Sequence, residues 1–378
     1  MATTDLGGVA ASVPPAQDLH RHARSGPRFP LGTTLLEEWD ELAGRTAATP
    51  YLYPGWAQAW WRAFGDGEHD IRTVRKDGRL AALLPIVRRD QVIASAANYH
   101  TPGFGLLAEN AGVAVELARG LFSDRPAWLS ITSLDPVAAS LQACQQAAEE
   151  AGYKTVVRPY QRSLYLDLKG SWHEYESRLG RNLLRNVRRA RRHLEQEGVL
   201  SVEIADGRER LDELLHEAFG VEASGWKGAR HTAIDSDPRT RAFYTEVAHW
   251  AAARGMLQLY FLRLERRPIA VYIALEHRRT CHLLKGGYDP AYRRHSPGNL
   301  LMHDVIGNCF AAGLSRIEFN GDAEPYKFSW AAAVRERKRF EAFAPTVRGR
   351  LAWVKFSVVL PFKRRLRRSV GLRPDKEP

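Results

Sequence analysis

"GYDPAYRRHSPGNLLMHDVI", Gly287 to Ile306, is the stretch whose reading decides the fold. The apolar run Thr280–Gly287 enters it as a strand, and a helical pattern from Asn299 to Ala312 leaves it. Between them lie Arg293, Arg294, His295, Ser296, Pro297 and Gly298. The first turn of a helix leaves backbone N–H groups unpaired, and its dipole adds about half a positive charge. Phosphate sits well at such a mouth. Ser296 offers a hydroxyl that caps or donates, Pro297 fixes φ, and Gly298 leaves room for a close approach. Asn299 and Leu300 continue the turn, and Arg293 and Arg294 add cationic donors. Ordinary capping beside solvated arginines fits the same residues.

Outward from this loop, an element order appears twice. In the second half, Ser201–Ile204 reads as a strand and Arg208–Phe219 as a helix. Asp237 can cap a further helix, with Pro238 at its first position, that runs to Arg254. Met256–Leu264, Pro268–His277 and Thr280–Gly287 read as three strands joined by tight polar turns, and Ser315–Phe319 as a strand after the loop and helix. In the first half, helices are expected at Thr34–Arg45 and Trp56–Phe64. Strands follow at Asp70–Lys76, Leu80–Arg88 and Gln91–Ala97. Next come a glycine-bearing loop, a helix near Val113–Phe122, a strand at Ala127–Thr132 and a helix at Val137–Gly152. Two strands, Lys154–Arg158 and Ser163–Leu168, close the half. Even the loops echo: "HTPGFGLL" at His100–Leu107 against "HSPGNLL" at His295–Leu301.

The bulk numbers agree with two packed units. The chain has 378 residues, more than one ordinary core, and is 44% hydrophobic, which excludes global disorder. No signal-peptide pattern or transmembrane run is expected. Cys144, Cys281 and Cys309 are scattered, so neither a metal site nor a disulfide framework is expected, which fits a cytoplasmic protein. The net charge of +12 attracts nucleic acid, anionic lipid or a phosphate-bearing substrate. Part of it lies in "SRLGRNLLRNVRRARRHLEQEG", Ser177–Gly198. There Leu179, Leu183, Val187, Ala190 and Leu194 line one helix face, and Arg178, Arg181, Arg185, Arg188, Arg189, Arg191 and Arg192 cover the rest. This is either a solvated basic helix or a surface that receives a polyanion.

The stretches "KGGYDPAYRRHSPGNLLMHDVI" and "IEFNGDAEPYKFSW" resemble the acetyltransferase group associated with bacterial cellulose biosynthesis. That group lies within the GNAT superfamily and is similar to the Fem-type peptidyltransferases. The resemblance covers Leu164 to Trp330, and the remainder by element order alone. It implies an α/β (α+β) fold of two tandem GNAT-like acyltransferase domains, with mixed, mainly antiparallel central sheets flanked by helices. The divisions expected are a flexible tail at 1–27, an N-terminal domain at 28–168 and a basic connecting helix at 169–200. A C-terminal domain holding the donor site follows at 201–348, then a basic segment at 349–378. The resemblance also implies that Ser296–Leu300 holds the pyrophosphate of acyl-CoA (acetyl-CoA), or the equivalent part of another donor, although the usual glycine spacing of the GNAT loop is absent.

Amine attack on an activated acyl carbon needs a base, donors for the oxyanion and a proton for the leaving group. "NGDAEPYKFSW", Asn320–Trp330, follows a strand end, where α/β folds place ligands. Asp322 and Glu324 are the base candidates, Lys327 a holder of an anionic group or oxyanion, and Tyr288 and Tyr326 the proton donors. A turn with an ion pair to Lys327, and tyrosines packed in the core, explain the same residues without chemistry. Lys285 and "EASGWKG", with Trp226 and Lys227, are placed at the acceptor cleft. The first reading is an N-acyltransferase acting on a small amine, without a metal. A second changes the donor to aminoacyl-tRNA. A third is a non-catalytic accessory of a membrane polysaccharide machine. "WVKFSVVLPFKRRLRR", Trp353–Arg368, either completes a domain or makes peripheral contact with the inner membrane face.

Overall fold

The structure, a computed structural model, describes residues 32–224 and 233–359. Trp226, Lys227 and the ends of the chain lie outside the described residues. The first half contains α1 (Thr33–Arg45), α2 (Pro54–Phe64), β1 (Glu68–Lys76), β2 (Arg79–Arg89), β3 (Val92–Ser95) and β4 (Leu107–Ala108). It continues with α3 (Ala111–Ser123), β5 (Trp128–Leu134), α4 (Ala139–Glu150) and β6 (Lys154–Asp167). Two connecting helices follow, α5 (Trp172–Arg178) and α6 (Arg181–Glu197). The second half contains β7 (Leu200–Ala205), α7 (Leu211–Ser224), α8 (Pro238–Ala253), β8 (Leu257–Leu264), β9 (Arg267–His277) and β10 (Thr280–Tyr288). It ends with α9 (Pro297–Ala311), β11 (Arg316–Glu318), β12 (Ala333–Phe343) and α10 (Val347–Val354).

The duplicated order survives as a duplicated sheet pattern. In each half three antiparallel strands lead to a parallel neighbour: β1, β2 and β3 beside β5, and β8, β9 and β10 beside β11. The halves then interleave. β12 lies between β5 and β6, and β6 lies between β12 and β11, so all twelve strands form one sheet. Tight turns in the left-handed region join the hairpins, at Asp77–Gly78, Glu265–Arg266 and Arg278–Arg279.

Two expectations about single elements are corrected. Lys154–Asp167 is one strand, because β12 pairs with it from Lys154 to Tyr165. Pro159 cannot donate to a ladder; it is tolerated where the register shifts between Arg337 and Lys338. The basic connection is two helices, because Leu179 is extended and Gly180 starts α6 anew. The expected cap of α8 is present: Asp237 accepts from the Arg239 and Thr240 amides, and Pro238 opens the helix.

Helices cover both faces. α3 and α4 pack on the first half through Leu117, Leu121, Leu141 and Ala148. On the face shared by the halves, Trp56, Trp60, Trp61 and Phe64 of α2 meet Phe219 of α7 and Phe243 and Val247 of α8. Burying a large apolar side chain of this kind contributes roughly 1.5–3 kcal/mol. Gly55 permits the approach, since a Cβ there would run into the Trp250 ring. On the opposite face of the second half, α6 and α9 pack through Val187, Leu194, Leu301 and Val305.

Candidate functional site

β10 and β11 pair for only three residues each, 280–282 with 316–318. Beyond Glu318 the chain turns away through Asn320 (φ 44) and Gly321 (φ 58), while β10 continues to Tyr288 with β9 alone at its side. A wedge therefore opens in the middle of the sheet, and the edge of β10 beyond His282 lines it. The register of β10 shifts between Leu283 and Lys285. This bulge turns both Leu284 and Lys285 toward α7 and α8, where the Lys285 ammonium sits 5.3 Å from the Tyr244 ring centre. Gly286 and Tyr288 face the other way, toward Tyr272 and α9.

The α9 mouth borders this wedge. Ser296 is left-handed (φ 47, ψ 52), and its carbonyl accepts from the Asn299 and Leu300 amides. Its side chain makes no cap bond. The Gly298 amide has no hydrogen bond among the described residues. Tyr288 packs beside Gly298, and the Tyr272 hydroxyl donates to the Gly298 carbonyl at 3.4 Å. Arg293 is exposed and makes no ion pair among the described residues. Arg294 is occupied, by His295 Nε2 at 2.8 Å and Glu197 at 2.9 Å. Pro297 and Leu300 are buried in packing. Among the described residues, the open groups at the mouth are thus the Ser296 hydroxyl, the Gly298 amide and the Arg293 guanidinium.

The loop after β11 is organised by Lys327, which is only 6% exposed. Its ammonium donates to the Asn320 and Asp322 carbonyls, each at 2.8 Å, and pairs with Glu324 at 3.3 Å. Two main-chain carbonyls and one carboxylate thus surround the ammonium. The Glu324 charge adds to the burial that raises the Tyr272 phenol, and the Lys327 ammonium lies 5.9 Å from the Tyr326 ring centre. Asp322 is exposed, and Arg339 sits over the ring of Tyr160, in the first half, at 5.0 Å.

Three residues assigned no role from sequence sit at the apex of the wedge. The Asn320 amide donates to Tyr51 Oη at 2.8 Å and to the Leu283 carbonyl at 3.1 Å. Tyr51 Oη lies 3.0 Å from His282 Nδ1. Burial pushes the His282 imidazole down to about 3, and burial raises the Tyr51 phenol. Both groups are therefore neutral at ordinary pH, and Tyr51 donates to Nδ1. Tyr51 precedes its partners by 231 and 269 positions, so no local pattern pointed to it. Asn320 carried a weak signal, because Asn-Gly after a strand favours positive φ.

The equivalent wedge of the first half is filled. The Phe104 amide donates to the Ser133 carbonyl, the Ser133 hydroxyl to the Thr101 carbonyl, and Arg337 Nε to the Pro102 carbonyl. Pro102 opens no helix there; α3 starts later, behind its Asn110 cap. The similar loops thus have different fates, and an open helix mouth of this kind occurs in the second half. Among the described residues no group of His, Cys, Asp or Glu is placed to hold a metal ion. None of their helices is long and apolar enough to cross a membrane.

Residues 181–328 match the family model for an acetyltransferase (GNAT) domain. A comparison with curated proteins finds no match. Among solved structures, FemX is similar with a TM-score of 0.56 at 12% identity, covering 81% of this chain and 95% of that one. The C-terminal domain of a protein described as a lysylphosphatidylglycerol synthetase, from Agrobacterium fabrum, aligns with a TM-score of 0.51 at 12% identity, over 86% of this chain and 95% of that one. A protein of unknown function from Bacteroides thetaiotaomicron gives 0.50 at 11% identity, over 83% and 99%. At these identities the likeness is one of fold. The family match lies on the half that holds the open wedge, and it stands against a non-catalytic role. Residues 181–328 thus match a GNAT acetyltransferase domain, and this match supports an acyltransferase.

Proposed function

We propose that the chain moves an acyl group from an acyl-CoA thioester to an amine, with the donor's pyrophosphate at the α9 mouth and its acyl end in the wedge between β10 and β11. The unpaired Gly298 amide beside that wedge carries the reading. The amine nitrogen attacks the thioester carbonyl carbon, the C–S bond breaks, and the thiolate takes a proton. Because the two sides of the wedge differ, the candidates divide between them. Asp322, exposed in the turn after β11, is the base for the amine. Tyr326, whose ring centre lies 5.9 Å from the Lys327 ammonium, returns the proton on the donor side. Lys285 lies on the acceptor side, against Tyr244. Lys327 builds the loop. Asp322→Asn is expected to lower kcat by about 10²–10³ with the donor Kd unchanged. Mass spectrometry with a panel of acyl-CoAs and amines reads the rate. Unchanged turnover removes Asp322 from the reaction, and failure of every acyl-CoA to bind removes the donor.

One observation favours a second reading, with an aminoacyl-tRNA as donor. Arg181, Arg185, Arg188 and Arg192 follow at intervals of 4, 3 and 4 along α6, and all are exposed. α6 reaches the donor loop through Glu197 and α9 through Arg191 and Asp304. Four phosphate contacts give a log–log salt slope of about −3 to −4. A gel shift with tRNA measures it; no shift at low salt excludes this donor.

A further inference from the structure

The helix α10 is apolar on two opposite faces, and among the described residues only one of them is covered. Gly349, Ala352, Trp353 and Phe356 turn inward. A Cβ at Gly349 would run into the Ala344 backbone. Trp353 Nε1 donates to the Thr155 carbonyl at 3.4 Å, and the buried Phe356 ring packs on Trp128 and Phe343 at 5.4 and 5.5 Å. Thr346 caps the start by accepting from the Gly349 amide. The helix is therefore fixed to the body.

Val347, Leu351 and Val354 form the other face, at i, i+4 and i+7, and are 76%, 66% and 42% exposed. Arg350 borders this ridge on one side, and Arg348 and Lys355 on the other, all three exposed. An apolar stripe edged by cations is the arrangement of a helix that lies in a membrane interface. By sequence, Lys363, Arg364, Arg365, Arg367 and Arg368 follow directly. Each basic residue near an anionic bilayer contributes about 1 kcal/mol of attraction. A second copy of the chain, itself carrying +12, would bring like charges together around the ridge.

We propose that Val347, Leu351 and Val354 insert into the interface of an anionic phospholipid bilayer, with the flanking cations at the headgroups. The helix packs at the Phe343 end of β12, beside the start of β6. The wedge lies near the Ala333 end, next to Tyr165 and Glu318. Eleven residues of strand, about 33 Å, separate the two. The helix is then an anchor, and the wedge stays in water.

Vesicle flotation of the full-length protein tests this, using phosphatidylcholine alone and phosphatidylcholine with about one quarter phosphatidylglycerol. The native chain is expected to float with the anionic vesicles only. Val347→Ser/Leu351→Ser/Val354→Ser, at exposed positions that leave the fold intact by circular dichroism, is expected to cut partitioning by about tenfold or more. A native chain that stays at the bottom overturns the proposal. So does a triple variant that floats as well as the native chain, because the basic tail then acts alone. A dimer by light scattering that the triple variant turns into a monomer also overturns it, and assigns the ridge to a second copy.

Discussion

Gly298→Trp is expected to weaken sharply the donor binding proposed for the α9 mouth. The indole would occupy the space in front of the Gly298 amide, where Tyr288 already packs at 3.4 Å from a Cβ position. A phosphate held there by backbone donors and the helix dipole loses both at once. The expected loss is about 100-fold in Kd for acyl-CoA, close to 3 kcal/mol. Gly298 lies outside the left-handed region, so the helix itself tolerates a side chain, and the far-UV spectrum should not change. Calorimetric titration of coenzyme A into both proteins gives the answer, and the native protein should show a ligand-dependent rise in melting temperature that the variant lacks. A variant that binds as tightly as the native chain would place the anion somewhere other than this helix.

Lys327→Met separates construction from binding. The ammonium satisfies two carbonyls and one carboxylate of the loop from Asn320 to Glu324. Methionine has similar length and no donor. Glu324 is 34% exposed and can turn to water, so the main cost comes from the carbonyls. The Asp322 carbonyl keeps its bond from the Glu324 amide, so the Asn320 carbonyl is the acceptor left unpaired, which predicts a loss of roughly 1–3 kcal/mol. The loop carries Asp322 and Tyr326, so turnover should fall about 10²-fold or more. Donor affinity should hold within a few fold, because the α9 mouth does not use Lys327. Urea midpoints, turnover and titration distinguish these effects. A stable variant with native turnover would reduce Lys327 to a surface ion pair.

Local chemistry was legible in the sequence, and distant pairing was not. Asp237–Pro238 marks the α8 start because capping is settled within one turn. The loop from Tyr288 to Gly298 reads as a strand-to-helix junction for the same reason. β12 escapes notice because Arg335, Glu336, Arg337 and Lys338 put charge on both faces, which erases the period of two. The compensating charges come from elsewhere: Asp135 receives Arg335 and Arg337, and Glu318 receives Arg335. Pro159 suggested two strands where a bulge makes one. In the site, Lys327 was visible as a cation among acids. Its role turned on where two main-chain carbonyls point, which no composition reveals. Tyr51 was hidden by distance along the chain, since the first half supplies it to a wedge in the second.

The interleaving of β6 and β12 bears on how the protein is made. The first half ends its own sequence with β5 and β6 unable to close on each other, because the strand that joins them is Ala333–Phe343. A nascent chain emerging from the ribosome must carry bare strand edges through the synthesis of more than a hundred further residues. Only when Phe343 clears the exit tunnel can the earlier lobe finish, and both lobes then lock in a single late step.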